Sequence, residues 1–435
     1  MHTSKSPGDD LDADWISQTL RDSAYPTELD AFSKQRKVHQ YTKSNSDFEL
    51  VQKELLIDVT DTCNFNINTG IQRVVRNLVK ELVQSNVPHR LVTWNSSETA
   101  LRELTDLELK VATGIDIALG HDPALGLQDP EHHVKLIPIN CKLFIPELAT
   151  QTKRVQRTIC IGRYTSNQLF AIGYDAVPII LPDTTSNGMV SAFALQLEIL
   201  KNCSAIFGIS NATTSEFDAL FSGLISQGIT PPTVFSVPLP VVGLGGESNN
   251  QSLQHNPPRF LVVGSHEPRK NHESILAAAE MLWQDGRDFE LHSVGSRGWE
   301  SDFFWKLVDV LQGRERKLFC HIGISDSELS ALYRSSTALV SVSLHEGYGL
   351  PVAEAVASNL SVLTVSLGSQ GELAKLFSTN VSAGTDAPAI KDAIEKLLRE
   401  DFSLIQPDTW GSEAKTNVKT WNEYSTQVIE KIASF

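Results

Sequence analysis

The sequence predicts an α/β protein made of two doubly wound, Rossmann-like halves, and three observations predict it. Apolar runs of strand length alternate with helical stretches along most of the chain, the order expected of parallel sheets covered by helices. The alternation is interrupted once, at 243–258, by GLGGESNNQSLQHNPP, whose Gly, Asn and Pro content marks a linker. At 435 residues the chain exceeds the usual size of one domain, and each half is long enough to bury its own core.

Residues 1–50 are polar and aperiodic, with acids at Asp9, Asp10, Asp12 and Asp14, and read as an extension. Asp12-Ala13-Asp14 has the form of a DxD metal motif, but no strand leads into it and no metal site is assigned. The first half, 51–242, places strands at LLIDV (from Leu55), RLVTW, KLFIP, LFAIG, AIFGIS and TVFSV. A helix starting at Gly70 carries Ile71, Val74, Val75, Leu78, Val79 and Leu82 on one buried stripe. Arg73, Arg76 and Lys80 lie off that stripe, on a face that is either solvated or a peripheral contact with anionic lipid head groups. Tyr174-Asp175 follows a strand, where a lone aspartate reads as a turn former, and Ser210 is placed to cap the next helix. The second half, 259–415, repeats the pattern with RFLVVG, FELHSV, LFCHI, ALVSV and SVLTV. A last helix opens at Thr420-Trp421-Asn422-Glu423-Tyr424, within 416–435.

The chemistry concentrates at two strand ends of the second half. In SVSLHEGYGLPVAEA (341–355), a strand ends just before Glu346, Gly347 and Gly349 permit a tight reversal, and Pro351 suits the first position of a helix. Glu346 and Glu354 then flank one small volume, where helix-terminal N–H groups favour an anion. In LVVGSHEPRKN (261–271), a strand runs into a turn at Gly264 and Ser265, and Lys270 precedes Asn271, a candidate N-cap for HESILAAAEMLW. Cations just ahead of a helix N-terminus suit a bound diphosphate. SVGSRGW (293–299) is a further strand ending in glycines, with Gly295 and Arg297 at the same edge.

These motifs resemble the signature of retaining GT-B glycosyltransferases of the group 1, or family four, type. The resemblance spans roughly 54–430 and is specific in the second half. It implies two Rossmann-like domains facing across a cleft, with the last helix crossing back to the first domain. It implies that Glu346 meets hydroxyls of the donor sugar, that Glu354 holds the ribose, and that Lys270 meets the diphosphate. Many members place an arginine where this chain has Ser265, so Arg269, Arg297, or a hydroxyl and backbone amides take the second cation's place. Gly264, Gly295, Gly347, Tyr348, Gly349 and Leu350 line the donor site by the same resemblance, and Gly323 and Ile324 form the loop that holds the base. The resemblance also implies that Gly70 and Arg73, in a TG-I-x-R-V form, face the cleft near donor phosphate or acceptor, with Asp175 and Ser210 on the acceptor side, and that Asp175 orients the acceptor hydroxyl or contacts the sugar. The implied reaction moves a hexose, mannose first, from GDP-mannose or another nucleotide sugar to a saccharide or lipid-linked glycan. The leaving β-phosphate accepts the acceptor's proton on the same face, with no metal and no cofactor beyond the donor. The EPRKN, GW and TGIQR forms look most like bacterial mannosyltransferases of O-antigen and related surface polysaccharides.

Composition bounds the alternatives. A net charge of −15 argues against nucleic acid as a partner. The five cysteines, Cys63, Cys141, Cys160, Cys203 and Cys320, include no CxxC pair, so neither a disulfide framework nor a zinc site is expected, and most read as small buried hydrophobes in strands. No run approaches the about 18 apolar residues of a membrane span, and the expectation is a cytoplasmic protein, at the inner face of the membrane if its acceptor is lipid-linked. A NAD-dependent dehydrogenase needs GxGxxG after a strand, which the turns at Gly264 and Gly295 lack. A GT-B phosphorylase, a nucleotide-sugar epimerase and a non-catalytic glycan-binding module remain as rivals.

Overall fold

In the computed structural model the described residues are 48–64, 69–114, 133–186, 188–241, 255–358, 360–376, 381–382, 384–399 and 419–435. Strands β1 (Phe48–Gln52), β2 (Leu55–Asp58), β3 (Arg90–Trp94), β4 (Leu101–Glu103), β5 (Lys135–Ile139), β6 (Lys142–Ile145), β7 (Gln168–Gly173), β8 (Ala205–Gly208) and β9 (Thr233–Ser236) form the first sheet. Their order is β1-β5-β4-β3-β2-β6-β7-β8-β9, parallel except where β4 meets β3 and β5. The second sheet holds β10 (Arg259–Val263), β11 (Glu290–Val294), β12 (Leu318–His321), β13 (Ala338–Ser341), β14 (Ser361–Thr364) and β15 (Val381–Ser382), all parallel, in the order β12-β11-β10-β13-β14-β15.

A parallel sheet covered on both faces needs strands apolar on both sides. Leu143 and Phe144 of β6, adjacent in sequence and therefore on opposite faces, are both fully buried. In each sheet one strand has its successors on both sides: β2 lies between β3 and β6, and β10 between β11 and β13. Crevices that bind ligands open beyond the C-terminal ends of strands at such reversals.

The helix Gly70–Gln84 buries Val74, Val75, Leu78, Val79 and Leu82, as the spacing predicts, while Ile71 at its start is only partly buried. One buried cluster continues from this helix to Leu339, Tyr348 and Val352 in the second half and to Tyr424, Val428 and Ile432 in the helix Trp421–Ala433. That last helix crosses back to the first sheet, where Lys142 Nζ donates to the carbonyls of Ile432 (2.9 Å) and Ala433 (3.0 Å). A cation at a helix C-terminus meets the negative end of its dipole. Among the described residues, no helix is long and apolar enough to cross a membrane.

Several sequence expectations change. A strand, Phe48–Gln52, lies at the end of the segment read as an extension, and it pairs with β5 rather than standing apart. The rest of that extension, with Asp12 and Asp14, and most of the linker 243–258 fall outside the described residues. Of the five cysteines only Cys320 sits in a strand; Cys63 and Cys160 are helical, and Cys141 and Cys203 precede strands. Glu354 is the fifth residue of the helix Leu350–Ala357, just past the first turn, because the helix begins one residue before Pro351.

Candidate active site

β10 and β13 are neighbours, so the turns that leave their C-terminal ends share one crevice. From β10 the chain passes Gly264 and Ser265 into a tight turn, Pro268–Lys270. From β13 it reaches His345, Glu346 and the Gly347–Gly349 reversal. Gly349 has φ 92°, a conformation that suits glycine and starts the next helix. Asn271 is left-handed as well (φ 58°), and its side chain does not cap the helix: Nδ2 donates to the carbonyls of Val342 (3.3 Å) and Thr385 (2.7 Å). Asparagine tolerates that conformation, and these bonds tie the Lys270 turn to β13.

Glu346 is the electrostatic centre. Lys270 Nζ lies 2.5 Å from Oε1 and Arg269 Nη1 2.9 Å from Oε2, with all three side chains largely buried. Burial alone would raise the pKa of this carboxyl, but Lys270 and Arg269 together hold it well below the usual carboxylate range. Arg269 also pairs with Glu267 (2.5 Å) and donates to the His345 carbonyl (2.8 Å). Ser265 Oγ donates to Glu267 at 3.0 Å, which joins the position lacking the arginine to the same network.

Asp175 enters from the first half. Its Oδ1 accepts from Val177 N (3.2 Å), so it does form the turn. Burial raises its pKa and the Arg269 charge opposes that rise, with His345 and Glu346 also close enough to act on it. His345 Nε2 and Glu216 Oε1 stand 2.7 Å apart across the cleft. Burial disfavours the imidazolium there, yet Glu216, Asp175 and Glu346 together raise its pKa. Ser210 Oγ accepts from Thr213 N as a helix cap, and it also reaches the Gly347 carbonyl at 2.7 Å. Glu372 accepts from Asn211 N (3.0 Å) and Ala212 N (2.5 Å) at the start of the same helix.

Glu354 stands apart from this network. Its side chain is 4% exposed, with Arg73 Nη1 2.7 Å from Oε1 and the Tyr333 hydroxyl donating to Oε2 at 2.9 Å. Gly70 packs beside Leu350, whose Cδ1 would stand 3.0 Å from a Cβ on the glycine. Arg76 donates to the Val111 carbonyl, so two of the three cations read as a solvated or lipid-contacting face have partners within the protein, and Lys80 is the exposed one of the three.

The structure thus brings together Lys270, Arg269, Glu346, Ser265, Asp175 and Ser210, and it pairs Arg73 with Glu354. Arg297 bridges by its backbone to His266 in the turn after β10, and its guanidinium lies over Trp305, 4.7 Å from the ring centre, rather than on Glu346. Tyr348 is buried and donates to the Leu239 carbonyl (2.7 Å). Gly264 and Gly295 lie against each other, Gly323 has φ 67°, and Ile324 packs on the central cluster. Sequence reasoning missed His345, Glu216, Glu267, Tyr333 and Glu372. The position of His345, directly before Glu346 at a strand end, was a readable signal; the others act over 18 or more residues of separation or through a turn contact.

Residues 247–417 match the model of the family described as glycosyl transferases group 1. The serotype-specific mannosyltransferase WbdA of Escherichia coli is 25% identical over 408 residues, 89% of this chain and 46% of that protein. The O-antigen chain mannosyltransferase B of Escherichia coli is 31% identical over 171 residues, 39% of this chain and 44% of that one. The chain therefore spans less than half the length of WbdA, and its match to the second relative covers less than half of either protein. Among solved structures, sucrose-phosphate synthase from Thermosynechococcus elongatus superposes with a TM-score of 0.60 at 13% identity, over 88% of this chain and 98% of that one. Anabaena HepE in complex with UDP-glucose gives 0.59 at 12% identity, over 88% and 100%. These two likenesses speak for the fold alone. The second half of the chain thus matches the group 1 glycosyltransferase family over residues 247–417, and the whole chain shares the GT-B architecture of these solved structures.

Proposed function

We propose that this chain is a retaining hexosyltransferase that moves mannose from a nucleoside diphosphate sugar, GDP-mannose first among donors, to a saccharide or lipid-linked glycan acceptor. The observation that carries this reading is the convergence of Lys270 and Arg269 on Glu346 where β10 and β13 end. The mannosyltransferase relatives support the choice of sugar, and their O-antigen naming supports a glycan acceptor.

In this mechanism Lys270, which has three N–H donors, turns part of its contact from Glu346 to the β-phosphate. Glu346 accepts from hydroxyls of the sugar, and Glu354 from those of the ribose. As the bond between the anomeric carbon and the β-phosphate breaks, its electron pair stays on the phosphate, and the paired cations Lys270 and Arg269 stabilise that charge. A phosphate oxygen takes the proton of the acceptor hydroxyl, whose oxygen bonds to the anomeric carbon on the face being vacated, so configuration is retained. Asp175 orients the acceptor from the first half. The scheme uses neither an enzyme nucleophile nor a divalent metal.

The test is thermal-shift screening against GDP, UDP, dTDP and ADP sugars, followed by NMR of the product's anomeric configuration. Stabilisation by GDP-mannose and a retained product are expected. Inversion, phosphorolysis, or isomerisation of the donor without an acceptor would overturn the reading.

A further inference from the structure

Arg73 belongs to the first half, on a helix whose buried face packs in the core that joins the two halves. Its guanidinium nevertheless ends 2.7 Å from Glu354, in the second half, 281 residues away in sequence. The contact is built at both ends. Leu350 packs beside Gly70 at the start of the arginine's helix, and the second oxygen of Glu354 accepts from the buried Tyr333 hydroxyl. With its side chain 4% exposed, Glu354 has little water to stabilise its charge.

We propose that Arg73 is a positioning residue for the nucleotide: reaching from the first half, it holds Glu354 as an ionised, oriented acceptor for a ribose diol, so donor affinity depends on this contact between the two halves. The inference rests on the proposed role of Glu354 at the ribose. A diol gives two hydroxyl hydrogens, and only the carboxylate form offers acceptor sites on both oxygens while already engaged by Arg73 and Tyr333. The groups that face Glu354 are Arg73 from the first half and Tyr333 and Asp326 from the helix Asp326–Ser335. Burial raises the pKa of Glu354; Arg73 opposes this most, the Tyr333 hydrogen bond opposes it further, and Asp326 adds to the rise. Without the guanidinium, only the Tyr333 hydrogen bond opposes burial and Asp326, and the carboxyl protonates at a higher pH.

The experiment is calorimetric titration of the full chain with GDP, and with UDP in parallel, between about pH 6 and pH 9. The variants are Arg73→Gln, which keeps a hydrogen-bond donor without the charge, Arg73→Lys, which keeps the charge, and Glu354→Gln. A neighbouring charge moves a pKa by about 1–3 units, so Arg73→Gln should lose roughly tenfold in affinity near neutral pH and recover most of it by about pH 9. Arg73→Lys should stay within about threefold of the parent. A deficit in Arg73→Gln that is the same at every pH, or no deficit, overturns the inference while leaving the ribose role of Glu354 intact. Failure of both nucleotides to bind the parent chain, or parent-like binding by Glu354→Gln, removes that ribose role and the inference with it.

Discussion

Gly347 lies so close to the first half that a Cβ on it would stand 2.0 Å from the carbonyl oxygen of Tyr174 and 3.1 Å from the Asp175 Cβ. The glycine serves there for close approach of two backbones rather than for an unusual φ. Its carbonyl is meanwhile held by Ser210 Oγ (2.7 Å) and Thr213 Oγ1 (2.8 Å). The residue after Glu346 is therefore a fixed point between the halves. Gly347→Ala has to push them apart by about an ångström, and a displacement of that size costs on the order of 10²-fold in rate when it misplaces reacting groups. Transferase assays with saturating donor should show that loss in kcat/KM.

Removing members of the Glu346 network should follow an order set by what each leaves behind. Glu346→Ala leaves Lys270 and Arg269 facing each other without their shared carboxylate, whereas Lys270→Ala leaves Glu346 still paired with Arg269. Breaking a buried pair and stranding charge costs about 3–5 kcal/mol. Chemical denaturation should find Glu346→Ala the less stable of the two by a few kcal/mol. Both should lose on the order of 10²-fold in turnover, the scale for one preorganised electrostatic contact. Near-normal turnover in both variants would dismiss them from catalysis.

The pair formed by His345 and Glu216 gives a pH signature. Because the folded-state pKa of His345 is raised, its contribution is fully present below the unfolded value and is lost as pH rises through the folded one. Glu216→Gln should therefore lower thermal stability most near about pH 6 and have little effect by about pH 9. A destabilisation that grows with pH would contradict the assignment.

Much of this was legible in the sequence because it is written locally. Gly-Tyr-Gly after a β13-type apolar run, and Lys270 ahead of a helical pattern, are strand-end signals, and both turns fall at the reversal between β10 and β13. The capping boxes at Ser325 with Glu328 and at Thr420 with Glu423 likewise mark helix starts that the sequence announces. What escaped was non-local or locally contradictory. β5 carries Pro138 as the fourth of its five residues and β4 is three residues long, so neither has the pattern of a sheet strand. Arg73 and Glu216, partners of Glu354 and His345, come from helices of the other half, and Tyr333 comes from a helix 21 residues before Glu354, where no spacing rule reaches. Asn271 kept its position but not its capping bond, because a left-handed backbone turns its amide toward Val342 and Thr385.

A second charge network, buried at the reversal of the first sheet, should dominate its pH stability. Beyond β2 and β6, Arg154 pairs with Asp58 (3.0 Å), Asp61 (3.1 Å) and Glu147 (2.7 Å), so three carboxyls share one guanidinium. Glu147 also accepts from the backbone N–H groups of Asp61 and Thr62 (2.7 and 2.9 Å), yet full burial pushes its pKa up to about 8, with Asp61 and Asp58 adding to the rise and Arg154 opposing it. A carboxyl whose folded pKa is raised binds a proton that the unfolded chain has released, so stability falls as pH climbs from the unfolded value toward about 8. The slope is at most about 1.4 kcal/mol per pH unit for one proton. Urea denaturation at about pH 5.5 and pH 8 should show the fall, and Glu147→Gln should flatten it whatever the substitution costs in absolute stability. Arg154→Met leaves the carboxyls without their cation and should cost about 3–5 kcal/mol. An unchanged pH slope in Glu147→Gln would mean that the shared proton resides on Asp61 instead.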